Sequence, residues 1–493
     1  MSSGDRILHL HPADNVAIAL EDGLVVGVGT GHKLATQAIA AGESIIKYGQ
    51  VIGVATVAID SGAHVHVHNI SAEVAERSSG STTAARAPDD LKEQNFSGLR
   101  RLNGSVGTRN YVGIVSTVNC SATVVRQIAA RFTAENLQRF PNVDGLCPIT
   151  HSMGCGMAGS GPGMDQLRRT LGGYIKHPNM GAVLVIGLGC ETNDIGGLLR
   201  SQGIDESDSL RTLAIQDAGG TRAAVDAAAA IVEELLAIAN RAERGPAPLS
   251  AISLALQCGG SDSFSGITAN PALGYAADML VAAGGTVILG ETPEIYGAEH
   301  LLLNRAESPA VAKALQDRLD WWQEYVAANG ASLNNNPSPG NMAGGISTIL
   351  EKSLGAVMKS GTSPLRAVYN YAEPIEQPGF VFMDSPGYDP CSITGEIASG
   401  ANMVCFTTGR GSVFGAKPVP SLKLATNSTM AVRMAEDMDY DCGGILTGDK
   451  TLAHAGEDIF NLIVATASGS KSASELNGLG DFEFVPWQIG AVL

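Results

Sequence analysis

Apolar residues along this chain fall into short runs that end abruptly in glycine-rich polar loops. From residue 98 onward such runs read as strands at 112–118, 143–149, 182–186, 213–216, 252–256, 286–289, 379–383 and 403–407. Helical patterns near 122–134, 222–241 and 309–329 separate them. Strands alternating with helices predict parallel pairing through right-handed crossovers. The fold class expected is α/β, with a Rossmann-like, mainly parallel sheet forming the body.

The first 75 residues follow a different pattern. Short β segments at 7–10, 16–19, 24–28, 45–47, 51–57 and 64–68 are punctuated by turn signals such as Asp60-Ser61-Gly62. Only 34–40 reads as helical, so a small all-β domain is expected. Residues 71–96 lose all periodicity and fill with Ser, Thr, Ala and charge, the composition of a linker. The expected organisation is a β domain over 1–75, a linker over 76–97, and two α/β domains over 98–245 and 246–493. The segment ERGPAP at 243–248 marks the boundary between the last two.

Composition narrows the function classes. Of 493 residues, 44% are hydrophobic and 60 are glycine, enough for a large core and for close backbone approach to ligands. A net charge of −17 without any basic cluster argues against nucleic acid. No apolar run reaches the ~18 residues of a membrane span, and the start of the chain lacks a signal-peptide pattern. Eight scattered cysteines read as reduced thiols. A soluble, cytoplasmic protein is expected.

The candidate chemistry sits at strand ends. The run Ile252, Leu254, Leu256 opens into Cys258-Gly259-Gly260-Ser261-Asp262, and Cys120, Cys155 and Cys190 occupy comparable turns. Ligands in open α/β sheets bind outside such carboxyl ends. Six of the ten histidines lie in the first 75 residues, and His64, His66 and His68 alternate, so a strand there would aim all three imidazoles at one face. Histidine suits proton transfer near neutrality. The loops around His32 and Lys47 add polar groups to the same domain. Cys155, Cys190 and Cys258, with His151, offer soft and borderline ligands for iron, whereas Asp262, Glu291, Glu294 and Asp384 offer hard oxygen ligands. Both sets remain open. Gly187-Leu188-Gly189 lacks the third glycine of a dinucleotide fingerprint, Thr192 standing in its place. Nucleophile-elbow and HExxH patterns are absent.

Several longer segments carry a resemblance: HVHN (66–69), GTRNY (107–111), TVNCSATV (117–124), GLGCETN (187–193) and LQCGGSDSFSGITANPALG (256–274). ETPEIYGAEHLL (291–302), NPSPGN (336–341), EKSLGA (351–356), DSPGYDP (384–390) and TTGRGSVFG (407–415) extend it. Across nearly its whole length the chain resembles the altronate dehydratase / galactarate dehydratase family. That resemblance implies a β-clip (SAF-type) N-terminal domain on an α/β body and a metal-assisted β-elimination of water from an aldonate of the altronate type. It implies dependence on iron or another divalent metal; Fe2+ is the expected cofactor, the thiols leave an iron–sulfur cluster open, and Cys155, Cys190 and Cys258 are the expected ligands. His66 and His68 are then expected to move protons, with Lys47 and His32 assisting. Arg109, Arg410, Asn69, Ser261 and Asp262 are expected to hold the substrate. The partner implied is a small sugar acid, and the protein is expected to be a homo-oligomer, a dimer. Galactarate-type and sulfolactate sulfo-lyase-like reactions are the alternatives, because Met342 follows NPSPGN where altronate dehydratases are expected to carry lysine. A sugar-acid-binding protein without activity is the non-enzymatic one.

Overall fold

The computed structural model describes residues 7–25, 27–72, 91, 94–333 and 337–489. Most of the segment expected as a linker lies outside them. The N-terminal part is β-rich and consists of two small antiparallel sheets. Ile7–Leu8, Val16–Ala19, Lys33–Ala35 and His64–Val65 form one; Ser44–Lys47, Gln50–Ala55 and Ile70–Ser71 form the other. Two expectations fail here. Residues 34–40 are not helical, because Leu34 and Ala35 pair with Val16 and Ala17, and Ile39 bridges to Ile59. The strand expected over 64–68 stops at Val65, and the chain turns at His66. Asn69 makes that turn: its Oδ1 accepts from His66 N–H at 2.9 Å and its Nδ2 donates to the His64 carbonyl at 2.9 Å.

Residues from 95 to 248 build a second unit. Four parallel strands stand in the order Gly145–Ile149, Tyr111–Ser116, Met180–Gly187, Leu210–Ala214. Helices Asn119–Ala129, Pro162–Ile175, Ile195–Ser201 and Thr221–Ala239 connect or follow them. The segment read as a boundary is itself a strand. Arg244–Pro248 pairs antiparallel with Asn95–Arg100, with Pro248 opposite Asn95. Its two prolines are tolerated because it is an edge strand, whose outer side needs no donors.

The largest sheet has seven parallel strands, in the order Leu365–Tyr369, Gly379–Met383, Thr286–Leu289, Ser253–Cys258, Met403–Thr408, Ser421–Ala425, Tyr440–Asp441. All five residues of Gly379–Met383 and all six of Met403–Thr408 are buried, as strands covered on both faces require. The chain leaves Ser253–Cys258 toward one edge and Met403–Thr408 toward the other. The loops after these two neighbours therefore diverge and open a crevice at their carboxyl ends. One continuous apolar core runs from Val16, Ile45 and Ile52 of the β-rich part through Leu254, Leu273 and Phe382 of the large sheet. The β-rich part is thus docked on the body as a cap. Among the described residues no helix is long and apolar enough to cross a membrane.

Candidate active site

The crevice holds a cluster of buried ionisable groups. Cys258 is the last residue of its strand. Glu291 follows Leu289 by one glycine in the left-handed region, with φ of +64°, and Glu294 lies in the short 3-10 turn Thr292–Ile295. A non-glycine residue in that region stores strain, which must be held by its surroundings. Here Ser385 Oγ accepts the Glu291 N–H at 2.7 Å, and Thr292 donates to Asp384 Oδ1 at 2.6 Å. Ligand atoms of Cys258, Glu291 and Glu294 all lie within 4.8 Å of one another.

Two lysines enter from the opposite side. Helix Ile349–Val357 is buried at every position, and its Lys352 reaches Glu294 Oε1 at 2.6 Å. Lys359, in the 3-10 turn that follows, donates to Cys258 Sγ at 3.0 Å and stands 3.9 Å from Glu291 Oε2. Burial alone would lower the Lys359 ammonium, but Cys258, Glu291 and Glu294 outweigh it and hold the proton on. Burial pushes the Cys258 thiol up to about 11. Burial, and then Glu294, raise Glu291 well above the usual carboxylate range. Asp389, which accepts from Gln257 at 2.8 Å, is pushed up to about 6 by burial and then by Glu294. Behind Gly290 lies Glu396, also raised by burial.

The donor set fits a divalent cation. Both carboxylate oxygens of Glu291 are buried without a hydrogen-bond partner. Such atoms are costly unless something satisfies them. One thiol and two carboxylates suit a borderline ion such as Fe2+. This mixes the soft and hard ligand sets that the sequence kept apart.

Above the cluster, a small cavity between cap and body is lined by Tyr48, Ser261, Asp262, Ser263, Glu351 and Lys352. The Ser261 and Ser263 hydroxyls are buried without partners. Ser261, expected as a substrate ligand, thus lines this cavity with an uncommitted hydroxyl. Asp262 is committed: it accepts from Phe264 and Ser265 N–H and from the Thr426 hydroxyl, and so organises its own loop. Arg410 is exposed at the end of Met403–Thr408, on the rim of the crevice.

Other expected residues take different positions. The imidazoles of His32, His64, His66 and His68 do gather, with ring centroids 5.0–5.4 Å apart. They face the loop at 342–345 and not Cys258: His66 Nε2 meets the Met342 carbonyl at 2.9 Å and His32 Nε2 the Ala343 carbonyl at 3.4 Å. Burial pushes His64 and His66 down to about 4. Lys47 is buried and locked, with Lys33, on Glu351 at 2.8 Å each. Asn69 serves the turn described above. Arg109 is no substrate ligand. Its guanidinium is fully buried and consumed by Glu475 and by the carbonyls of Thr108, Thr466 and Ser470. Cys155 and Cys190 are exposed on the four-stranded sheet and do not join Cys258. Glu351, Lys352 and Lys359 were missed as chemistry. Their one signal was charge in an otherwise apolar stretch, EKSLGAVMK.

Three family profiles match successive parts of the chain: "Altronate/galactarate dehydratase SAF domain" over 5–73, "D-galactarate dehydratase/Altronate hydrolase, second domain" over 98–240, and "D-galactarate/Altronate dehydratase, C-terminal" over 249–492. The altronate dehydratase of Escherichia coli K12 is 35% identical over 490 residues, covering 96% of this chain and 97% of that relative. The chain belongs to the D-galactarate/altronate dehydratase family. The altronate dehydratase of Bacillus subtilis 168 is also 35% identical, over 95% of this chain and 96% of that protein. The galactarate dehydratase (L-threo-forming) of Escherichia coli K12 is 36% identical, over 94% and 93%. Dehydratases are by definition hydro-lyases, so the family's chemistry is the loss of water across a carbon–carbon bond.

Proposed function

We propose that this family member is a sugar-acid dehydratase acting on an aldonate of the altronate type, and that its centre is the Cys258–Glu291–Glu294 cluster. The observation that carries this reading is the pair of buried, unpartnered Glu291 oxygens facing Cys258 and Glu294 at the carboxyl end of the large sheet. The reaction removes the C2 proton and the C3 hydroxyl to leave a 2-keto-3-deoxy acid. A divalent cation held by Cys258, Glu291 and Glu294 would supply Lewis acidity toward the carboxylate or the leaving hydroxyl.

The chain's own groups do the rest. The Lys352 and Lys359 ammoniums place positive charge where the enediolate develops, in a site from which water is excluded. The Ser261 and Ser263 hydroxyls orient the sugar acid's polar groups. Proton removal passes from the histidines to Asp389. Asp389 is held by Gln257 of the Cys258 strand, beside the cluster, whereas His66 is turned to the Met342 carbonyl, and burial and Glu294 raise the Asp389 carboxyl toward the range a base needs. Arg410, at the rim, meets the substrate carboxylate on entry.

The test is turnover of altronate, galactarate and sulfolactate by the full chain after chelation and after return of Fe2+, alongside Asp389→Asn and His66→Ala. The reading expects metal-dependent loss of water from altronate, a drop of ~10²–10⁴-fold in kcat for Asp389→Asn, and a much smaller one for His66→Ala. Full activity after chelation overturns the metal. Full activity of Asp389→Asn returns the base to the cap. Turnover of galactarate alone moves the substrate to an aldarate.

A further inference from the structure

Free cysteine is among the most buried of residues, and five of the eight here obey that rule. The three that do not are Cys120, Cys155 and Cys190. They are also the three that follow adjacent strands of one parallel sheet. Tyr111–Ser116 lies between Gly145–Ile149 and Met180–Gly187, with Val115 opposite Ile149 and Ser116 opposite Ile186. The strands end abreast, so their loops share one edge.

Those loops are tied to one another by the backbone, before any ligand is considered. The Asn119 N–H donates to the Met153 carbonyl at 3.0 Å, and the Asn193 N–H to the Gly154 carbonyl at 3.0 Å. The Asn193 side chain also donates to the Thr117 carbonyl at 3.0 Å. Gly154 adopts φ of +100°, and a methyl group there would come within 2.4 Å of the Thr117 carbonyl oxygen, so only glycine allows this closeness. Each cysteine is thereby fixed within three residues of a cross-loop hydrogen bond. Cys120 falls in the first turn of helix Asn119–Ala129, where the helix dipole favours negative charge. Gln216 Nε2 donates to Cys190 Sγ at 3.3 Å.

Three exposed thiols on one edge suit a soft-metal unit, and their spacing excludes the most compact one. The three sulfurs do not close to within 4.8 Å as a group. Thiolates around a single tetrahedral ion with bonds of about 2.3 Å sit only about 3.8 Å apart, so the set is too wide for a mononuclear site. A wider inorganic unit held by thiolates is an iron–sulfur cluster.

We propose that Cys120, Cys155 and Cys190 hold an iron–sulfur cluster at the carboxyl edge of the four-stranded sheet, apart from the Cys258 centre. On binding, each thiol releases its proton to solvent and ligates one iron. Three ligands leave one iron of a four-iron unit without a protein donor.

The full chain is incubated anaerobically with ferric iron, sulfide and a thiol reductant, then desalted; the thiol reduces half of the iron, as a unit of two ferric and two ferrous ions requires. The expected result is a broad visible charge-transfer band with about four iron and four acid-labile sulfide per chain. Cys120→Ser, Cys155→Ser and Cys190→Ser should each lose most of that band while keeping the wild-type circular dichroism, whereas Cys258→Ser should keep it. In the unsubstituted protein, reconstitution should protect these three cysteines from iodoacetamide, read by peptide mass spectrometry, so the result does not hinge on variants that fold. Iron bound without sulfide, a band that survives the three substitutions, or undiminished alkylation overturns the proposal. Because the readout is spectroscopic, it stands or falls separately from the elimination chemistry assigned to Cys258, Glu291 and Glu294.

Discussion

Glu351 and Lys352 are consecutive residues of one buried helix, and each closes a different charge network. Glu351 takes Lys33 and Lys47 from the cap, at 2.8 Å each, while Lys352 reaches Glu294 at 2.6 Å. A single turn of helix therefore couples the seating of the cap to the geometry of the strand-end cluster.

Glu351→Ala strands two buried ammoniums without a counter-charge. Breaking a buried pair by removing one partner costs about 3–5 kcal/mol. The urea midpoint should fall accordingly, and kcat should fall with it because the helix that carries Lys352 loses its anchor. A midpoint within error of wild type would show that the cap lysines find other partners.

Glu291→Gln should act in opposite directions on stability and on metal binding. Burial disfavours the charged form of this carboxyl, and neither of its oxygens has a hydrogen-bond partner, so the amide costs the metal-free fold little. The same change removes a ligand. In wild type, a cation at 100 times its Kd should stabilise the fold by about 2.7 kcal/mol. That increment, read as a metal-dependent shift in thermal unfolding, should be absent from the variant.

Acid should destabilise the fold through the cap histidines. Burial lowers His64 and His66 from 6.5 to about 4, and lowers His32 as well. Below pH 6.5 the unfolded chain takes up protons that the folded cluster refuses. Stability is therefore complete above 6.5 and is lost as pH falls toward about 4. Glu351, held near 2 by its two lysines against the effect of burial, acts in a lower window, from 4.5 downward. Denaturant midpoints across pH should show the first loss in wild type and a flatter profile in His64→Gln and His66→Gln.

Arg109→Ala should cost stability and leave substrate affinity alone. Its guanidinium bonds at 2.6–2.8 Å to Glu475 and to carbonyls of Thr108, Thr466 and Ser470, all within the protein. Loss of that buried partner costs about 3–5 kcal/mol. An unchanged KM in the folded fraction is the expected measurement; a large rise in KM would restore it as a substrate ligand.

The strand ends were legible because a fully buried parallel strand must be apolar throughout and must stop where polar chemistry begins. Thr286–Leu289 and Gly379–Met383 match their expected bounds for that reason. The cap was harder, since its strands are two to six residues long and carry little periodicity. The histidine gathering was foreseen for the wrong cause: a turn closed by Asn69, not strand alternation, brings the rings together. Cys258, Glu291 and Glu294 were each visible, but hydropathy says nothing about which ligands meet across 30 or more residues. Lys352 and Lys359 stayed hidden because a lysine in a helix usually signals a solvated face. Arg109 misled in the opposite sense, since a motif arginine looks the same whether it grips a substrate or a neighbouring carboxylate.

The pairing of Arg244–Pro248 with Asn95–Arg100 has a consequence for how such a chain can be assembled over time. The polypeptide enters and leaves the four-stranded unit through one two-strand neck, with residue 95 opposite residue 248. That unit is closed off in sequence yet welded in space: Tyr111, Val115 and Leu171 share one buried core with Ala255, Ile393 and Phe406, and Arg109 is paired with Glu475, so the two sheets must mature together.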